Sequence, residues 1–110
     1  MTSDLEQLLF THHPEIFAGR TLRREQSNMH WGIQCGNGWF ALIDALCAEI
    51  DWQVKENAMP PVLATDVKEK SGSLRFRFHG GNEATRAMAA FALRLSEHIC
   101  SDCGRVSAAV

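Results

Sequence analysis

The first candidate for chemistry is a pair of cysteines near the C-terminus. Residues 100–104 read C-S-D-C-G, and His98 precedes them. A turn of this kind is typical of one half of a zinc-binding knuckle, but a structural zinc site needs four ligands, usually from two such pairs. The sequence has no second C-x-x-C, and Cys35 or His30 would complete a site only if the fold brought them there. We therefore expect no cofactor and no stoichiometric zinc, and the metal candidates that remain are Cys100, Cys103 and His98.

Two adjacent histidines, His12 and His13, form the second group that could do chemistry. They could bind a metal ion, but two neighbouring imidazoles are an unspecific ligand pattern. The alternative is that they stand at the end of a helix, where imidazole meets the free carbonyl groups of the last turn. We favour this second interpretation.

Nucleophilic catalysis has candidates but no recognisable motif. Cys35 could pair with one of the five histidines, and Ser71 and Ser73 flank a glycine in a tight turn. None of these residues lies in a known nucleophile pattern. The carboxylates Asp44 and Glu49 are explained by solvation on a helix surface. We therefore predict that the protein is not an enzyme.

The stretch from Leu63 to Phe78 predicts a β-hairpin. Two alternating runs flank Ser71-Gly72, a pair typical of a two-residue turn. This register gives the ribbon one apolar and one charged face. The predicted pairs are Val67 with Phe76 and Thr65 with Phe78 on the apolar face, and Lys68 with Arg75 and Asp66 with Arg77 on the charged face.

Helical patterns flank the hairpin on both sides. A short helix is predicted from Ser3 to Phe10, with Ser3 and Glu6 as a capping box. A second runs from about Gly38 to Trp52 behind Asn37 as N-cap; its glycines could also cradle a phosphate, but no phosphate-binding motif surrounds them. The last runs from about Glu83 to Cys100, with Asn82 as N-cap. Its predicted buried stripe is Ala84, Met88, Phe91, Ala92, Leu95 and Ile99.

Together these elements predict an α+β fold. A central antiparallel β-hairpin, open to extension by a third strand at His30 to Gln34, is packed by two main helices and the short N-terminal helix. With 110 residues, we expect one domain over residues 1–110, with a frayed tail at about 105–110.

Composition and charge argue against several classes of partner. The net charge is −2 with a pI of about 6.2, so the broad basic field of a nucleic-acid binder is missing. No apolar run approaches the ~20 residues that cross a bilayer. The first residues lack the basic and apolar regions of a signal peptide. We expect a cytoplasmic protein with four reduced cysteines and with neither membrane nor nucleic acid as a partner.

Three motifs resemble a group of small bacterial and prophage-associated proteins. They are C-G-N-G-W-F-A-L-I-D-A-L-C at residues 35–47, V-K-E-K-S-G-S-L-R-F at residues 67–76 and C-S-D-C-G at residues 100–104. Their order and spacing match across roughly residues 29–104. Longer members continue the last motif into a second ligand pair, which implies a zinc knuckle there; this sequence does not contain that pair. Relatives beside genes of polymorphic (Rhs-type) toxins look like immunity proteins.

The resemblance implies an immunity protein that binds a cognate antibacterial toxin and blocks it sterically. The toxin would be an Rhs-type effector domain such as an ADP-ribosyltransferase or a nuclease. The alternative is a prophage accessory protein with the remnant of a structural zinc knuckle.

The candidate residues for binding the toxin are exposed charges and one aromatic residue. Each also has a structural explanation. The arginines could be solvated, the charged hairpin face could form cross-strand ion pairs, and the tryptophan could be buried in the core. The predicted partner-binding residues are Trp31, Arg20, Arg23, Arg24, Asp66, Lys68, Arg75 and Arg77.

Overall fold

The computed structural model describes residues 1–21 and 27–106 and confirms the α+β fold. Its elements follow one another as three helices and one hairpin, with short 3₁₀ turns before the second helix. The helices are α1 (Ser3–His12), α2 (Phe40–Glu56) and α3 (Glu83–Ser96), and the strands are β1 (Val62–Lys70) and β2 (Ser73–Gly80). None of the helices in these ranges is both long enough and apolar enough to cross a lipid bilayer.

The hairpin turn forms as the sequence predicts. Ser71 and Gly72 both have positive φ, 54° and 84°, as a two-residue turn with the twist of the flanking strands requires. The carboxylate of Glu69 accepts a hydrogen bond from the Gly72 backbone N–H at 2.6 Å. The turn therefore fixes the register of the strands from the tip.

The predicted register is correct near the tip and wrong at its far end. Val67 faces Phe76, Lys68 faces Arg75 and Asp66 faces Arg77, but Phe78 faces Ala64 and not Thr65. Thr65 is the extra residue of a β-bulge between Ala64 and Asp66. Its carbonyl accepts a hydrogen bond from the Asn28 backbone N–H at 2.8 Å, so a distant segment holds this residue out of the ladder.

The predicted third strand is reduced to a single bridge. Residues Met29–Trp31 form a 3₁₀ turn, and only Gln34 pairs with the hairpin, in parallel with Lys68. The Gln34 backbone donates to the Val67 carbonyl at 2.9 Å and accepts from the Glu69 N–H at 3.0 Å. Within the described residues the sheet therefore has two strands.

The predicted caps of the first two helices are wrong. Thr2, not Ser3, is the N-cap of α1, and the Glu6 carboxylate accepts from the Ile33 backbone N–H at 2.7 Å. The Asn37 side chain accepts from the Thr2 backbone N–H at 2.9 Å, and α2 begins only at Phe40 after a 3₁₀ turn. Both side chains therefore join separate segments of the chain, which spacing along the sequence cannot show.

Helix α3 buries only part of its predicted stripe: Ala92 is buried and Met88 packs against the core, but Leu95 is exposed. Asn82 is the N-cap as predicted, in a capping box with Thr85, but the helix ends at Ser96 instead of Cys100. Its fully buried residues are Thr85, Ala92 and Ser96, whereas Phe91 is 69% exposed. Ser96 is buried because its hydroxyl accepts from the Leu74 backbone N–H of β2 at 2.8 Å. A hydrogen bond to the hairpin thus accompanies the exposure of Phe91 and Leu95, two residues of the predicted stripe.

The core is formed by α2, by the apolar face of the hairpin and by residues of the N-terminal third of the chain. Helix α2 buries four residues, and the indole of Trp39 just before it is fully buried. The hairpin contributes Val67, Leu74 and Phe76. The residues buried on α2 are Ile43, Leu46, Cys47 and Ile50.

Candidate functional site

Three of the predicted partner-binding residues come together on one surface. Trp31, Asp66 and Lys68 line a depression of about 380 Å³ between the 3₁₀ turn and strand β1. Trp31 is 58% exposed, so it is not the buried structural tryptophan that the sequence also allowed. A large aromatic side chain thus stands beside the charged face of the hairpin.

The charged face is cationic toward solvent because its acidic residue is buried. Asp66 is 4% exposed and pairs with the Lys68 ammonium at 3.5 Å. Arg75 faces Lys68 across the ladder, and Arg77 faces Asp66. Neither arginine forms an ion pair with any other residue of the described ranges. We call Trp31, Lys68, Arg75 and Arg77 the Trp31–hairpin surface.

Arg20, another predicted partner-binding residue, makes its contacts away from this surface. The Arg20 guanidinium lies over the Phe10 ring, 5.1 Å from its centroid, and donates to the Phe17 carbonyl at 3.2 Å. Its contacts are therefore internal. Arg23 and Arg24 lie outside the described residues.

The glycine motif and the cysteine motif pack directly on each other. The Gly38 N–H donates to the Ser101 carbonyl at 2.7 Å, and the Gly36 N–H donates to the Ser101 hydroxyl at 2.9 Å. The Trp39 indole donates to the Ile99 carbonyl at 2.9 Å. A Cβ on Gly38 would overlap the Cys100 carbonyl oxygen. These two motifs, far apart in sequence, therefore act as one structural joint.

We expect Gly38→Ala to lower the free energy of unfolding by about 1–3 kcal/mol, because the added methyl group meets backbone atoms that cannot rotate away. A useful comparison is Gly72→Ala, where the space around the Cβ is open but φ is positive. That change should cost about 1–2 kcal/mol without disturbing the joint. Chemical denaturation gives both values, and loss of the Trp39 near-ultraviolet signal only in Gly38→Ala supports the packing. An unchanged stability and spectrum in Gly38→Ala would contradict it.

The joint borders a polar cleft of about 490 Å³ that residues of all three motifs line. Its acidic side chains are Glu69, Glu97 and Asp102. Glu97 also accepts a hydrogen bond from the Ser73 hydroxyl at 2.6 Å, which ties the end of α3 to the hairpin turn. The three motifs that carry the resemblance therefore lie next to one another, and their contacts stabilise this fold.

The cysteines differ in ionisation. Hydrogen bonds from the backbone and thiol of Cys103 and from the backbone of Asp102 lower the pKa of Cys100. Burial raises the pKa of Cys35 to about 11 and also raises that of Cys47, so both stay neutral thiols. In the part of the chain that the structure describes, Cys100, Cys103 and His98 are not in a group of three metal ligands.

A group with metal-ligand geometry does occur elsewhere, at the end of α1. Ligand atoms of His12, His13 and Asp44 all lie within 4.8 Å of one another. The two histidines stand at the end of α1 as predicted. The His13 ring, however, contacts two carboxylates instead of the carbonyl groups of the last turn. The helical spacing of Asp44 and Asp51 was visible in the sequence, but nothing in it showed that α1 packs there.

An apolar groove of about 410 Å³ separates α2 from α3. It exists because α3 turns Phe91 and Leu95 away from the core. Both residues belong to the stripe that the sequence predicted to be buried. Its lining residues are Leu42, Ala45, Leu46, Glu49, Ala87, Met88, Phe91, Ala92 and Leu95.

Comparison with models of known protein families, with curated proteins and with solved structures found no match for this chain.

Proposed function

We propose that this protein is an immunity protein, which binds a cognate antibacterial toxin of the Rhs type and blocks it. The observation that carries the proposal is the Trp31–hairpin surface. A tryptophan that is 58% exposed lines one depression together with Lys68, and Arg75 and Arg77 lie on the neighbouring strand. The resemblance of the three motifs to immunity proteins supplies the class of partner.

The composition of this surface suits a binding interface. Tryptophan and arginine are enriched among the few residues that dominate binding energy, and lysine is not. Trp31 would therefore act as the apolar anchor, and Arg75 and Arg77 on strand β2 would act as polar anchors. A stable complex buries about 800 Å² on each partner, so contacts beyond these residues are expected.

The charge of the surface predicts the chemistry of the partner. Because Arg75 and Arg77 have no ion-pair partner within the described residues, they favour an acidic surface on the toxin. Such charges speed association and discriminate between cognate and non-cognate toxins. Blocking by occlusion needs no catalytic group in this chain, since covering the active site or substrate path of the toxin is enough.

The functional test is co-expression with the product of the adjacent toxin gene. We expect cells that produce the toxin to survive when this protein is present and to die without it. The two proteins should also co-purify. A matched control produces a non-cognate member of the same group at equal abundance, which should not protect. If cells die despite abundant folded protein, or if the neighbouring product is not toxic, the proposal is wrong.

A further inference from the structure

Two histidines at the end of α1 face two carboxylates of α2. The His13 Nε2 atom lies 2.8 Å from Asp44 Oδ1, and its Nδ1 atom lies 2.6 Å from Asp51 Oδ2. The His12 Nδ1 atom lies 3.3 Å from the same Asp44 oxygen. None of these four residues takes part in the Trp31–hairpin surface.

Helix geometry explains the arrangement. Asp44 and Asp51 are seven residues apart, which places them on one side of α2, two turns from each other. Helix α1 ends at His12, and His13 is its C-cap residue. The His13 ring is 5% exposed and lies between the two carboxylates, while His12 and Asp44 remain open to solvent at the edge. A small ion could therefore reach the group from outside.

The proton count of His13 is the first argument for a metal ion. Ionised carboxylates only accept hydrogen bonds, and a neutral imidazole has a single N–H to donate. One proton on Nδ1 satisfies Asp51, which leaves the lone pair of Nε2 pointing at Asp44 Oδ1. This second contact needs either another proton or a cation between the two atoms.

The second argument is the spacing of the ligand atoms. In a tetrahedral zinc site with bonds of about 2.0 Å, ligand atoms lie about 3.3 Å apart. The distance from His12 Nδ1 to Asp44 Oδ1 is 3.3 Å, and that from His13 Nε2 to Asp44 Oδ1 is 2.8 Å. A rotation of the Asp44 side chain would open the shorter distance by the missing ~0.5 Å, and all three ligand atoms lie within 4.8 Å of one another.

The third argument is the contact that the other ring nitrogen of His13, Nδ1, makes with Asp51. Histidines that bind zinc usually donate their other N–H to a carboxylate, which fixes the tautomer and the orientation of the ring. Asp51 stands in this position at 2.6 Å.

We propose that His12 Nδ1, His13 Nε2 and Asp44 Oδ1 bind one zinc ion, with Asp51 as the positioning residue for His13. Zinc replaces a proton between His13 Nε2 and Asp44 Oδ1, and that proton leaves to solvent. Two imidazoles and one carboxylate match the ligand types of a three-ligand zinc site whose fourth position holds water. The ion ties the end of α1 to α2, so its primary effect is on stability.

This site differs from the cysteine pair that the sequence suggested, and it departs from our expectation that the isolated protein holds no zinc. It is also independent of the toxin proposal, because its ligands lie outside the Trp31–hairpin surface. Either proposal can fail without the other.

The test is titration of the chelator-treated full-length protein with zinc, followed by calorimetry and thermal unfolding. We expect one equivalent to bind and the midpoint of unfolding to rise, since the ion binds the folded state. Cobalt in place of zinc should give the visible spectrum of a tetrahedral site with nitrogen and oxygen ligands. Asp51→Asn should weaken zinc binding by about 10–100-fold.

Three variants distinguish this site from the exposed hairpin histidine and from the cysteine pair. His12→Ala removes a largely exposed ligand and should abolish saturable binding while the protein stays folded. His79→Ala, which removes an exposed histidine of the hairpin, and Cys100→Ser combined with Cys103→Ser should leave binding unchanged. The proposal is overturned if the wild-type protein binds no zinc, if His12→Ala binds it as tightly, or if only the cysteine variant loses it.

Discussion

Replacing Phe76 with alanine is expected to lower the free energy of unfolding by about 3–5 kcal/mol, the range for truncation of a buried aromatic side chain. Phe76 is 9% exposed, faces Val67 across the ladder and packs on the Phe78 ring at 6.1 Å between centroids. Phe76 belongs to the buried hydrophobic core, so removal of its ring leaves a cavity there.

The matched control is Phe91→Ala on helix α3. Because Phe91 is 69% exposed, this change should alter stability by about 0.5 kcal/mol or less. Arg75→Ala on the opposite face of the hairpin should be similarly mild. Urea denaturation of the three variants under identical conditions gives the comparison. Equal losses for Phe76→Ala and Phe91→Ala would mean that the register of the hairpin or the rotation of α3 is wrong.

The second large effect is expected at Trp31. Trp31→Ala should weaken toxin binding by about 30-fold or more, which corresponds to the loss of about 2 kcal/mol at a dominant interface residue. Trp52→Ala is the matched control, because Trp52 is 51% exposed but lies on α2. It should leave the affinity almost unchanged. Calorimetry with the purified toxin domain measures both.

Charge reversal at Arg75 and Arg77 tests the contribution of the cationic residues to the same surface. Arg75→Glu combined with Arg77→Glu should slow association and make it less sensitive to salt. Circular dichroism must show that the double variant is folded. If Trp52→Ala and Trp31→Ala weaken binding equally, or if charge reversal leaves the association rate unchanged, the toxin binds another face.

The hairpin could be predicted because its determinants are local. The Ser71-Gly72 turn and the alternation on either side fix five consecutive pairs from Lys70 to Asp66. The bulge at Thr65 could not be predicted, because it depends on a hydrogen bond from Asn28, which lies 37 residues earlier. Prediction from pattern therefore fails where a distant segment determines the backbone.

Helix α3 shows the same limit in its side chains. Hydrophobicity alone chose Phe91 and Leu95 for the core, but the fold buries Thr85 and Ser96, whose hydroxyls have hydrogen-bond partners there. A buried hydroxyl with a partner costs little, so the helix is free to turn its aromatic side chain outward. That outcome depends on where β2 lies, which no periodicity along α3 reveals.

The candidate sites were predictable to different degrees. Trp31, Lys68, Arg75 and Arg77 could be named because exposed charges alternate on a strand and the tryptophan precedes a glycine motif. The histidine group could not be predicted without knowing that α1 packs on α2. His13 lies 31 residues from Asp44 and 38 residues from Asp51 in the sequence. Residue types alone offered His12 and His13, but the tertiary fold supplies Asp44 and Asp51.

The most direct test of the immunity proposal is an inhibition titration with purified components. The catalytic activity of the toxin domain is measured at fixed concentration while this protein is added, well above the dissociation constant of the complex. We expect activity to fall linearly and to reach background at one molecule of this protein per toxin. Trp52→Ala should match the wild type, and Trp31→Ala should need an excess. Full toxin activity in the presence of excess folded wild-type protein would contradict the proposal.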